Sequence, residues 1–190
     1  MQKNIYSLLF WLICVSLLTA CSSSKNSTRF YSLTALAQQS QNEKPHLKIG
    51  VGPVHIPRLL RRPQLVIRKN STEVSLVEQH QWGGSLREDI LSSLSRNLST
   101  LLASNQVEPY PWKNTQKPDY QIRLNIEQFD GNLAETVSLK VRWSILKNQK
   151  LLALKHSNIQ VKVQGNDYNA YVTAQSQALY QLAQTIVKQL

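Results

Sequence analysis

Two cysteines, four histidines and eleven carboxylates are the groups in this 190-residue chain from which chemistry could be built. None of the histidines, His46, His55, His80 and His156, has another histidine or a cysteine three or four positions away, so no metal-binding spacing is present. The chain has no Gly-x-Ser-x-Gly elbow, no P-loop and no glycine-rich dinucleotide fingerprint. Glu88 and Asp89 fall in the first turn of a predicted helix, where the macrodipole favours negative charge and a structural role suffices. No metal, no cofactor and no catalytic residue is named by this inventory, and an enzyme reading has nothing to stand on. Only Cys21 sits in a context with a defined reaction.

That context is Leu18-Thr19-Ala20-Cys21, which closes an apolar run begun at Ile5 behind the positive Lys3. A charged start, a short apolar core and small residues before the cut are the anatomy of a signal peptide. The core is shorter than the roughly 20 residues a spanning helix needs. Cysteine directly after Thr19 and Ala20 resembles a bacterial lipobox. In that resemblance Cys21 becomes the mature N-terminus, its sulfur carries a diacylglycerol and its amine takes a further acyl chain of the palmitate kind. Two or more chains anchor stably where one binds only marginally. Ser rather than Asp at position 22 resembles the sorting signal for the outer membrane, periplasmic face.

Removal of residues 1–20 leaves 170 residues, enough for one domain with a sizeable core. With Cys14 discarded and Cys21 acylated, neither a disulfide nor thiolate catalysis remains. The formal charge of +11 loses only Lys3, so the mature chain keeps +10. Export sets nucleic acid aside as the partner for this field, in favour of anionic head groups, envelope polyanions or an acidic protein. A basic surface without a dedicated partner is the plain alternative.

Residues 21–28 read as a lipidated, Ser-rich tether and 29–190 as the folded part. The seven residues from Ser22 to Thr28, at about 3.3 Å each, reach little more than ~20 Å, which keeps the domain near its membrane. Phe30 to Leu33 suggests a first strand, Ala37 to His46 a polar loop, and Leu47 to Val51 a half-buried strand broken by Gly52-Pro53. Pro57 and Pro63 bracket Arg58-Leu59-Leu60-Arg61-Arg62, and strands follow at Gln64–Arg68 and Glu73–Val77. Ser85-Leu86-Arg87-Glu88 fits a capping box ahead of an apolar stripe, Leu86, Ile90, Leu91, Leu94, Leu98, Leu101 and Leu102. Arg87, Ser92, Ser93, Ser95, Arg96 and Ser99 fall mostly on the opposite face.

Tyr120–Phe129, Val137–Leu146 and Leu151–Val163 alternate with period two and are joined by turn residues, which predicts an antiparallel meander. Its polar face carries Arg123, Lys140 and Arg142, with Lys162 a further candidate. A closing helix runs from about Tyr168 to the end, capped by Asn166 or Asp167. The expected fold is a single α/β domain, a mixed, largely antiparallel sheet packed by two amphipathic helices.

The loop between the prolines offers guanidinium groups for phosphate or carboxylate next to apolar side chains, which makes Arg58, Arg61 and Arg62 candidates for partner contact. A solvated basic loop is the alternative. Trp82 and Trp112 weigh between interface anchor and core plug. Beside a helix start the core is the commoner use, and Trp82 is kept with the three arginines as a partner-contact candidate.

Several pieces in order carry a resemblance: Phe30-Tyr31-Ser32-Leu33, Ile49-Gly50-Val51-Gly52-Pro53-Val54-His55-Ile56-Pro57, Leu60-Arg61-Arg62-Pro63-Gln64-Leu65-Val66 and Gln81-Trp82-Gly83-Gly84-Ser85-Leu86. Asn97-Leu98, Pro111-Trp112, Pro118-Asp119-Tyr120 and the alanine-rich final helix complete the set. Together they resemble the ABC-type transport auxiliary lipoproteins, the family that includes the PqiC (YmbA) proteins. The chain departs from it at Gly83-Gly84, where relatives tend to carry a small residue, often an acidic one, and then proline. The resemblance implies a part in moving lipids or other hydrophobic compounds between two membranes. The implied partner is an inner-membrane protein with MCE (MlaD-like) domains, accompanied by a permease and an ATPase where the system has them, whose outer end this lipoprotein would dock at the outer membrane. It implies no catalytic residue, and a homo-oligomer stays open. A structural envelope lipoprotein assisting outer-membrane or cell-wall assembly is the second reading, and an enzyme acting on envelope polymers the third.

Replacing Cys21 by Ser is expected to move the chain from the membrane to the soluble fraction and to remove the acyl mass from its intact-mass spectrum. Persistence of both in the variant would refute lipidation at this position.

Overall fold

The computed structural model describes residues 27–36, 43–112 and 117–190. The expected signal peptide 1–20, Cys21 and most of the tether lie outside the described residues. The strands are β1 (Arg29–Tyr31), β2 (Ile49–His55), β3 (Gln64–Arg68), β4 (Val74–Trp82), β5 (Val107–Pro109), β6 (Tyr120–Gly131), β7 (Thr136–Lys147) and β8 (Lys150–Lys162). The helices are α1 (Leu86–Leu102) and α2 (Tyr168–Val187), and Arg58–Arg61 forms a 3-10 turn.

All eight strands join one mixed sheet. β6, β7 and β8 form the antiparallel meander that the alternation predicts, with long ladders on both sides of β7. The other edge of β6 is shared. Its first half pairs in parallel with β2, which pairs in parallel with β5. Its last residue, Gly131, pairs with Ile67 of β3, and β3 carries β4 and then β1 outward. The fold is the expected single-domain α/β arrangement.

Alternation along β6 and β7 explains the layering. Ile122, Leu124 and Ile126 on β6 and Val137, Leu139, Val141, Trp143 and Ile145 on β7 are buried on one face. A register shift between Ile126 and Gln128 then turns Phe129 into the same core. Onto this face pack α1, through Leu86, Ile90, Leu94, Leu98 and Leu102, and α2, through Ala178, Leu179, Leu182, Ala183 and Ile186. The two helices also touch each other. Among the described residues, no helix covers the opposite face of β6 to β8, where Arg123, Asn125, Glu127 and Arg142 are exposed.

Four local expectations are corrected. Gly52-Pro53 does not end β2; the strand continues to His55 through a cis peptide bond and a register shift. Gly52 has φ +120, which a side chain would strain, and Gly50 packs so closely on Trp112 and Pro118 that a Cβ would fall 2.6 Å from Pro118 Cγ. β4 runs on to Trp82 because β1 and β3 pair on either side of it, and the three-residue β5 carries no alternation from which it could be read. The capping box does not form: Ser85 occupies the N-cap without a side-chain hydrogen bond, and Glu88 Oε1 lies 3.8 Å from Arg87 Nη2 instead. At α2, by contrast, the Asp167 carboxylate accepts from Ala170 N–H at 2.7 Å, as expected of a cap.

The fourth correction concerns the small polar residues of α1. Ser93 and Ser95 are buried rather than on an outer face, and Asn97 is buried beside them. After β1 the chain runs extended without a strand partner, and its backbone must be satisfied by side chains. Leu33 N–H donates to Asp89 Oδ2 (3.3 Å), Thr34 N–H to Ser176 Oγ (3.2 Å) and Leu36 N–H to Asn97 Oδ1 (2.9 Å), while Ser93 Oγ donates to Thr34 O (3.0 Å). Both helices thus grip residues 33–36. Burial pushes the Asp89 carboxyl above its ordinary range, an effect the Leu33 amide and the Ser32 hydroxyl oppose.

Where β3 meets β6, Asp130 is buried with its side chain only 3% exposed, and Arg68 Nε and Nη2 reach its two oxygens at 2.8 and 2.9 Å. Tyr171 O–H donates to Val66 O at 2.8 Å and Gln175 Nε2 to Phe129 O at 3.2 Å, so α2 clamps both strands at the same place. Burial holds the Tyr171 phenol far above its usual range, which keeps it a donor. Arg68→Met leaves a buried carboxylate without its cation and is expected to cost about 3 kcal/mol in urea unfolding; a cost below about 0.5 kcal/mol would contradict a structural role for the pair.

His80 on β4 stacks on Tyr168 (3.7 Å between ring centroids) and Tyr31 (5.6 Å), and its Nδ1 lies 2.7 Å from the Tyr31 hydroxyl. Burial first, and then the Arg29 charge, lower its pKa below the ordinary 6.5. The folded chain therefore prefers the neutral ring, and the unfolded chain takes up the proton first. This contribution to stability is complete above pH ~6.5 and is lost as pH falls through the lowered value. The urea midpoint is expected to drop between pH 7.5 and 5, and to drop less in His80→Gln; an equal drop in both would remove His80 from the account.

Candidate functional site

The three arginines of the proline-bracketed loop are displayed by the burial of one leucine. Leu60 in the 3-10 turn is 3% exposed and anchors the turn to the core beside α1, which leaves Arg58, Arg61 and Arg62 exposed. Arg61 Nε donates to Ile56 O at 3.3 Å, which fixes its stem while its terminal nitrogens stay outward. Among the described residues, no carboxylate lies within ion-pair distance of Arg58, Arg61 or Arg62.

Arg61 and Arg62 face the start of α1 across a cleft of about 580 Å³, lined also by His55, Ser85, Leu86 and Arg87. β2 brings His55 there, because its continuation past Pro53 delivers the strand end beside the helix. The Ser85 hydroxyl does not cap the helix, so the first-turn amides keep no side-chain acceptor from that residue. Guanidinium groups beside a helix start suit a phosphate or carboxylate group. The cleft offers no nucleophile with an adjacent base, and no cluster of metal-ligating residues exists among the described residues.

The structure brings together Arg61 and Arg62 but places Arg58 outside the cleft lining, on the exposed side of the turn. Trp82 is corrected: at 4% exposure the indole belongs to the core, where β4 ends and the chain turns into α1. Sequence reasoning missed His55, which lacked a partner in its own segment, and Arg87, which it assigned to a solvated helix face. Their signal is the Pro53-Val54-His55-Ile56-Pro57 segment ahead of the arginines, whose meaning depends on β2 crossing to α1.

His55 also lines a second, shallower depression of about 610 Å³ on the uncovered sheet face, together with Tyr110, Arg123, Arg142, Trp143 and Leu154. There Glu127 bridges Arg142 Nε at 2.7 Å and His156 Nε2 at 3.4 Å. Arg123 points at Gln121 Oε1 (3.1 Å) and has no acidic partner among the described residues. The two basic surfaces therefore adjoin at one residue. No helix among the described residues is long and apolar enough to cross a membrane.

Comparison with known proteins agrees with the architecture. A Xanthomonas campestris protein of family DUF330 superposes with a TM-score of 0.69 at 15% identity, covering 84% of this chain and 93% of its own. Another solved structure, described as an uncharacterized protein, gives 0.67 at 16% identity, covering 85% and 97%. At these identities the likeness is one of fold. No curated protein matches the chain. The family described as "ABC-type transport auxiliary lipoprotein component" matches residues 31–187, nearly the whole folded part, and the chain belongs to that family.

Proposed function

We propose that this chain is a lipid-anchored component of a system carrying lipids or other hydrophobic compounds between membranes, and that it docks the outer end of an MCE (MlaD-like) conduit protein at the outer membrane. Membership of the transport auxiliary lipoprotein family is the observation that carries this reading. In it, residues 1–20 are the signal peptide, Cys21 takes the acyl chains and 29–190 is the docking domain. Anchoring raises the domain's effective concentration at one membrane, so a modest contact with the conduit becomes lasting. The role is one of binding and positioning, without a catalysed reaction.

Contact with the conduit is assigned to the adjoining basic surfaces. Arg61, Arg62 and Arg87 at the cleft, with Arg58 at its margin and Arg123 and Arg142 beyond His55, present guanidinium groups to an acidic rim. A purely structural envelope role would use the same anchor with different companions.

The test is to cross-link the full-length lipoprotein in its native envelope and identify its companions by mass spectrometry. An MCE-domain protein is expected among them, lost with Cys21→Ser and reduced severalfold with Arg61→Glu/Arg62→Glu. Recovery only of cell-wall or outer-membrane assembly proteins would overturn the transport role in favour of the structural one. Unchanged recovery in the charge-reversed variant would remove the loop from the contact.

A further inference from the structure

β8 is a thirteen-residue edge strand, hydrogen-bonded to β7 alone, so its other edge has no strand partner among the described residues. Natural edges of this length are usually short, twisted away or covered, because an unpaired row of amides and carbonyls invites another strand. Ala153, Ile159 and Val161 turn one face of β8 to the core, and α2 packs on the strand. Near its start the strand is open and apolar, with Leu151, Leu152 and Leu154 at 63, 54 and 66% exposure. Three exposed leucines in four residues mark an interaction surface rather than scattered surface apolarity.

The charges on the strand select among occupants. Between Lys150 and Lys162 there are three lysines and His156, and no carboxylate. Lys147 stands just before it, its ammonium 5.2 Å over the Tyr120 ring. A second copy paired on β8 would bring lysines into the neighbourhood of lysines, which destabilises a ladder. A strand bearing carboxylates would be held. A membrane surface is the poorer occupant: the chain enters the sheet through β1, and across the order β1-β4-β3-β6-β7-β8 that is the opposite margin, five strand spacings or about 24 Å away. This last step rests on the lipid being attached through the tether ahead of β1.

We propose that β8 is a strand-addition edge for an extended acidic segment of a partner protein, with carboxylates meeting Lys155 on one face of the sheet and Lys162 on the other, and apolar residues covering Leu151, Leu152 and Leu154. Main-chain hydrogen bonds supply the affinity and the alternating side chains the selectivity. This surface is separate from the arginine cleft and exists whether or not the cleft holds the conduit.

The test uses the full-length chain in detergent micelles and a synthetic ten-residue peptide of glutamate and valine, with valines at one end and glutamates on both faces of the other. Saturable binding is expected, with slowed amide hydrogen exchange confined to residues 150–162 and the facing β7. Lys155→Glu/Lys162→Glu, both exposed positions, should weaken it about tenfold and instead accept a lysine–valine peptide, which controls for misfolding. No binding, equal binding to the variant, or binding without protection of β8 would each overturn the proposal. Protection that rises with protein concentration in the absence of peptide would overturn it in favour of a second copy. Protection by phosphatidylglycerol vesicles but not by the peptide would overturn it in favour of a lipid surface.

Discussion

The architecture hangs on β6 having to serve two neighbours along one edge. β2 takes its first half and β3 only its last residue, so the β3-β4-β1 limb is attached to the meander by very little ladder. What secures that join is the buried Asp130 carboxylate, held by both Arg68 nitrogens and flanked by the Tyr171 and Gln175 bonds from α2. A charge removed from water tolerates few geometries, because any arrangement that separates it from its cation exposes the full desolvation cost. The limb that β3 leads carries the basic loop at one end and β1, where the chain enters the sheet, at the other, so the placement of the tether relative to the cleft depends on this one pair.

Helices on a single face have two consequences. The inner face is closed and dense, with Trp143, Phe129 and Tyr171 fully buried. The outer face of β6 to β8 stays open to solvent, and its polar residues are free to serve recognition. Where the open face ends, at the top of β2, His55 passes the basic surface on to the start of α1.

The extended segment 33–36 shows how the helices acquire their buried polar residues. It lies across α1 and α2 and borrows Asp89, Ser93, Asn97 and Ser176 as hydrogen-bond partners. The chain is thereby locked to both helices within a few residues of β1.

By itself, the sequence determined the meander, both helices, the single-domain α/β class and the arginine-bearing loop between Pro57 and Pro63. These are local patterns: period two in Tyr120 to Val163, three-and-four spacing in Leu86 to Leu102, two prolines that forbid a strand. Only the tertiary structure decided what each pattern meets. Ser93 looks like a solvated helix residue until an unpaired segment needs its side chain, and Ser85 fits a capping box that the folded turn does not form. β2 crosses Gly52-Pro53 because β6 resumes pairing with it at Val54 and His55, and β5 pairs with β2 alone. Trp82 fills core volume, the commoner use beside a helix start, and the His55 imidazole is carried to the surface by a strand that outlasts its proline. Such assignments depend on contacts between residues far apart in the chain, which the spacing of neighbours does not encode.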